Sequence, residues 1–135
     1  MITQINHLGI AVRSLNEAIL FYRDVLKLEF LGIEDVPEQK VRIALFRVGE
    51  SRIELLEPTA PDSPVAQHIE KRGEGIHHIA YQTAHITDTI RSLVSAGVEM
   101  IDSQPRAGAH QCKIAFIHPR SSGKVLTELC EIQGE

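Results

Sequence analysis

The segment INHLGIAV (5–12) recurs 71 positions later as IHHIAYQT (76–83), with Ile5 on Ile76, His7 on His78 and Leu8 on Ile79. The same shift carries Leu15, Ile19 and Tyr22 onto Ile86, Ile90 and Leu93, an apolar series at helical spacing, and IALF (43–46) onto IAFI (114–117). Beyond the loop HPRSSG (118–123) the offset becomes 74, which brings ELLE (54–57) onto ELCE (128–131). The offset changes only in loops. The chain is therefore two copies of one strand, helix, strand, strand, strand module.

Local signals give the same order. Ser14 followed by Glu17 is a capping box that opens a helix to about Leu26, and Gly97 closes the equivalent helix that begins near Thr87. Between the copies, SPVAQHIEKRG (63–73) has Ser at the cap, Pro at the first helical position and Gly past the end, which predicts a short linking helix. Strand character is found at 28–34, 41–48, 52–57, 98–101, 112–118 and 124–132. Module 1 spans about 1–60, the linking helix about 63–73 and module 2 about 74–135, all in one α+β domain. At 135 residues and 43% hydrophobic content, a core can form without staples.

Charge and composition exclude several classes. Fourteen basic against 18 acidic residues, a net charge of −4, give no basic stripe of the kind nucleic acid requires. No apolar run approaches the roughly 20 residues that span a bilayer. MITQINHLGI lacks the basic start and apolar stretch of a secretory signal, so a cytoplasmic protein is expected. Cys112 and Cys130 have neither metal nor redox spacing, and no structural disulfide is expected.

Register turns the repeat into a candidate site. Side chains alternate along a strand, so Ile5, His7, Gly9 and Ala11 share one face while Leu8, Ile10 and Val12 share the other. The bulky face must meet the helix, which leaves His7 among residues too small to fill space. His78 stands beside Ala80 on the matching face of the second copy, and His77 points the other way. The last strand of each module carries one carboxylate at an equivalent place, Glu54 and Glu128, and a carboxylate buried there must be paired, protonated or bound to a metal. Two imidazoles and two carboxylates neutralise a divalent ion and leave two octahedral positions open. Mixed N and O donors suit a first-row metal such as Co²⁺, Mn²⁺, Ni²⁺, Zn²⁺ or Fe²⁺ better than Ca²⁺. His7, Glu54, His78 and Glu128 are the predicted ligands, with His77 outside the set.

With these features the chain resembles the vicinal oxygen chelate superfamily, which includes glyoxalase I, extradiol dioxygenases and fosfomycin-resistance proteins. Within it, DSPVAQHIEKRGEGIHHIAY, AGVEMIDSQPRAGAH and IAFIHPRSSGKVLTELCE are most similar to the methylmalonyl-CoA epimerase family. The resemblance implies a glyoxalase-like fold, two βαβββ modules forming a curved mixed sheet around a metal site, and a homodimer. It implies Co²⁺ first among the metals, an acyl-CoA substrate, and interconversion of its C2 epimers through an enolate, with the same four ligands. Glu128 is expected as one acid/base. Where some epimerases have a second acidic residue, the alignment places Ile43, which transfers no proton. His110, Gln111 through a water, and Glu38 are then the options for the second group, with His110 first. Lys113, Arg120 and Lys124 are candidate contacts for the substrate carboxylate or the CoA phosphates. The alternatives within the superfamily are a glyoxalase I-type isomerase and a ligand-sequestering protein.

Overall fold

The computed structural model describes residues 1–133. They fall into two compact units, one made of His7–His77 and the other of Met1–Asn6 together with the residues from His78 on. Both have the βαβββ order.

In the unit His7–His77, strand β1 (Ile2–Ala11) contributes its second half. Helix α1 (Leu15–Ile19) follows, then β2 (Glu29–Val36), β3 (Val41–Val48), β4 (Ser51–Pro58) and the linking helix α2 (Pro64–Arg72). The strands order as β2-β3-β4-β1, antiparallel except for the parallel β1–β4 pair. A parallel pair needs a crossover, which α1, β2 and β3 supply. The predicted apolar face packs as expected: Val12, Leu15, Ile19, Ala44, Phe46 and Leu55 form the core, with Ile10, Tyr22 and Phe30 against it. Phe46 is the hub, its ring 5.8 Å from Tyr22 and 5.2 Å from Phe30. Ser14 caps α1 through its hydroxyl, which accepts from the Glu17 amide at 3.2 Å. The helix expected to run to Leu26 is regular only to Ile19 and continues as a π-helix over Leu20–Val25. In α2, Ser63 accepts from the Val65 amide and Gly73 ends the helix at φ 80°, as the sequence predicts.

The second unit holds β5 (Gly75–Thr83) from His78 on, α3 (Ile86–Ser95), β6 (Arg106–Ala107), β7 (Cys112–Ile117) and β8 (Thr127–Ile132). Its strands order as β5-β8-β7-β6, again with one parallel pair, β5–β8. Ile86, Ile90, Ala115, Ile117 and Leu129 form the core beneath α3. The N-terminal residues join this unit through Asn6, whose amide nitrogen donates to Gln82 Oε1 at 2.9 Å.

The strand expected at 98–101 does not form. Met100 makes a single bridge to Ile117, and the short β6 lies further on at Arg106–Ala107. The reason is Asp102. Its carboxylate accepts the Phe116 amide at 2.9 Å, and the Ile101 and Asp102 amides both reach the Phe116 carbonyl. A side chain thus occupies the hydrogen-bonding edge that a longer strand would use.

The two units share a device that sequence reasoning missed. The Leu15 amide donates to Glu57 Oε2 at 2.8 Å, and the Ile86 amide donates to Glu131 Oε1 at 2.8 Å. Residues 15 and 86, like 57 and 131, are repeat equivalents. In each unit a carboxylate from the last strand satisfies a free amide at the start of the helix, where the helix dipole favours negative charge. α3 depends on this, because His85 at its N-cap makes no side-chain capping bond.

Candidate functional site

Each unit buries one histidine beside one glutamate. In the first, His7 from β1 and Glu54 from β4 approach with Nδ1 and Oε2 3.3 Å apart. In the second, His78 from β5 and Glu128 from β8 approach with Nε2 and Oε1 3.5 Å apart. The four residues are 4%, 5%, 6% and 4% exposed, so all are removed from solvent.

The ladders explain this placement. Glu54 stands directly across from Gly9, and Glu128 directly across from Ala80. A small residue opposite each glutamate leaves its side chain room above the strand, and the histidine two positions earlier lies on the same face. Across the other edge, Leu45 faces Glu54 and Phe116 faces Glu128. The Phe116 ring meets His78 edge-on, with centroids 5.8 Å apart and planes at 81°.

Separations of 3.3 and 3.5 Å are long for a charge-assisted hydrogen bond, which prefers about 2.7–2.9 Å. Two donors bound cis to one ion at about 2.1 Å each would stand about 3 Å apart. The donor chemistry fits a borderline divalent ion: each unit offers one imidazole nitrogen and one carboxylate oxygen, and neither pair contains a cation of fixed charge.

Residues 6–116 match the family described as the glyoxalase/bleomycin resistance protein/dioxygenase superfamily. The chain belongs to this superfamily. Among its relatives, the protein YqjC of Bacillus subtilis (strain 168) is 46% identical over 132 residues, covering 98% of this chain and 94% of that one. The ethylmalonyl-CoA/methylmalonyl-CoA epimerase of Cereibacter sphaeroides is 35% identical over 134 residues, covering 98% of this chain and all of that one. A solved methylmalonyl-CoA epimerase in complex with methylmalonyl-CoA and NH4+ matches with a TM-score of 0.95 at 36% identity, covering 99% and 97%. The α+β glyoxalase-like fold of the superfamily is the fold of this chain.

Other predicted residues of this superfamily member divide by environment. His77 packs its ring against His68 of α2, with centroids 4.9 Å apart, and burial, with His68 second, pushes its imidazole down to about 4. His110 lies in a short 3-10 turn, Ala109–Gln111, with φ 58°, as has Gln111 after it. Non-glycine residues rarely adopt such angles, and successive ones mark a constrained loop. Gly108 fixes its entry, since a Cβ there would fall 2.7 Å from Ile114 Cγ2. Glu38 is exposed in the turn after β2.

Of the basic candidates, Arg120 is held by Glu99 at 2.9 Å, and Lys124 occupies a tight turn at φ 70°. Lys113 lines a cleft of about 450 Å³ together with Arg106, Gln111 and Thr87. Arg106 was not foreseen. Its Nε pairs with Asp102 at 3.1 Å and its guanidinium lies over the Phe116 ring at 5.5 Å. The sequence signal was there, since Asp102 and Arg106 are four apart and flank Pro105, but no periodicity links them to Phe116. Cys112 and Cys130 are buried and are not joined in a disulfide. Among the described residues no helix is long and apolar enough to cross a membrane.

Proposed function

We propose that the protein is an epimerase that interconverts the C2 epimers of methylmalonyl-CoA, with a divalent ion held by His7, Glu54, His78 and Glu128. The observation that carries this reading is the pair of buried histidine–glutamate sets at repeat-equivalent positions, in a chain whose relatives include methylmalonyl-CoA epimerases over nearly their whole length. An ion at these donors would supply Lewis-acid polarisation of the substrate carbonyls; the donor set suits Co²⁺, Mn²⁺, Ni²⁺ and Zn²⁺ alike, and the resemblance to the epimerases puts Co²⁺ first.

The residues supply the rest. Epimerisation breaks the C2–H bond, leaves its electron pair in an enolate, and forms a new C2–H bond on the opposite face. Glu128 is the first proton acceptor, because its carboxylate is buried among Ala80, Phe116 and His78 rather than screened by solvent. His110, in its constrained turn, is a candidate for donation to the enolate. Arg106 and Lys113 support anion binding at the cleft they share and suit the phosphates of the CoA arm. The protein acts as a homodimer, the symmetric assembly most common for such chains.

Deuterium incorporation is the test. One epimer of methylmalonyl-CoA incubated in D₂O should give both epimers labelled at C2, in a reaction lost with EDTA and restored by Co²⁺. Absence of both label and interconversion would refute the assignment, and isomerisation of a methylglyoxal hemithioacetal instead would move it to the glyoxalase type.

A further inference from the structure

Inversion needs two proton-transfer groups, and the ladder of the unit His7–His77 offers a carboxylate that the sequence did not suggest. We infer that Glu34, in place of His110, is the second proton-transfer residue of the reaction. The inference rests on the epimerase reading and deepens it.

Leu45 lies across from Glu54, and Ile43, two residues earlier on β3, lies across from Leu56 and so shares the Glu54 face. On the other side of β3, Ile43 is paired with Glu34 of β2. Directly opposed residues on antiparallel strands present their side chains to the same face, with Cβ atoms about 5 Å apart. Glu34 therefore stands beside Ile43 on the face that carries His7 and Glu54.

This placement depends on a bulge. Phe30 is opposite Phe46 and packs in the apolar core under α1, so uninterrupted alternation would turn Gly32 and Glu34 toward that core face as well. The register shifts between Phe30 and Gly32, where Gly32 adopts φ 124°, a conformation only glycine takes readily. A one-residue slip exchanges the faces of everything beyond it. The bulge is thus what sends Glu34 to the Glu54 side and leaves Asp35 on the other, where it pairs with Arg42 at 3.2 Å. Re-aiming of a side chain beside a functional site is a recurrent use of such bulges.

Glu29 of β2 lies on the same face, opposite Arg47. It stands at the far end of the strand, exposed and paired with Arg47. Glu34 is only partly exposed, and its neighbours across the ladder, Ile43 and Leu56, are buried and apolar.

The proton balance is complete without a further reactant. In one direction the Glu128 carboxylate takes the C2 proton, and protonated Glu34 delivers its own to the opposite face of the enolate. The reverse reaction exchanges the roles, and solvent restores both groups between turnovers.

The test uses the full chain as Glu34→Gln, alone and combined with Ile43→Glu, each folded variant verified by its melting curve. Each C2 epimer is incubated separately in D₂O, and interconversion and label are followed together. Glu34→Gln should slow epimerisation at least about 100-fold, while one epimer, the one deprotonated by Glu128, still takes up deuterium with retention. Adding Ile43→Glu, which moves the carboxylate one strand across the ladder, should recover at least about tenfold of the lost rate. Wild-type epimerisation by Glu34→Gln would overturn the inference, as would equal loss of exchange in both epimers without rescue. A wild-type protein that exchanges neither epimer would refute the epimerase reading itself.

Discussion

His78 and His77 are adjacent in sequence and opposite in chemistry, because alternation along β5 gives them different faces. His78 faces Glu128, whereas His77 packs against His68 and is held neutral by burial down to about pH 4. His78→Ala should therefore remove most of the bound metal, measured as ion per chain after dialysis, while His77→Ala keeps most of it. The reverse result would show the register to be wrong. This distinction was legible in the sequence because the repeat fixes phase: His78 inherits the position of His7, and His77 that of Asn6. Glu34 was not legible. Its facing is set by a bulge, and one glycine in a strand-like run does not reveal whether alternation continues through it. Arg106 escaped for a related reason, since its anchor on Phe116 joins residues that only strand pairing brings together.

At the level of elements, the helices depend on the strands that end their own modules. Glu57 and Glu131 accept from the first amides of α1 and α3, charge-assisted bonds at a positive helix end. Glu131→Ala should destabilise the protein by roughly 2 kcal/mol, read as a lower urea midpoint at unchanged slope. Glu131→Gln, which keeps an acceptor oxygen, should cost less than half as much. Equal costs would mean that packing of the side chain, not the bond, stabilises the helix. The repeat had placed Glu57 on Glu131, yet the sequence could not assign their task. Their partners, Leu15 and Ile86, lie more than 40 positions earlier, beyond the reach of any local capping pattern. The same limit explains the absent strand at 98–101: Val98 and Met100 pack against the core beneath α3, but the Asp102 carboxylate takes the Phe116 amide.

For the whole molecule, duplication sets both what is symmetric and what is not. Each unit repeats the strand order, the buried pair and the helix cap, but only the first replaces part of its helix with a π-turn. There Leu20, Phe21, Val25 and Leu26 are 53%, 49%, 66% and 47% exposed, an apolar stretch that α3 does not reproduce to the same extent. Four large apolar side chains within seven residues are costly to leave in water, and cover by a second copy of the chain removes that cost. Covering the exposed edge of β2, the outermost strand of its unit, serves the same end. Sedimentation equilibrium at micromolar concentration should accordingly give twice the 15.0 kDa chain mass. Val25→Glu, the most exposed member of the stretch, should shift the protein toward monomer with little change in the melting profile of the dilute chain. A wild-type protein sedimenting only as the single chain would remove the dimer, and a dimer indifferent to Val25→Glu would place the interface on another surface.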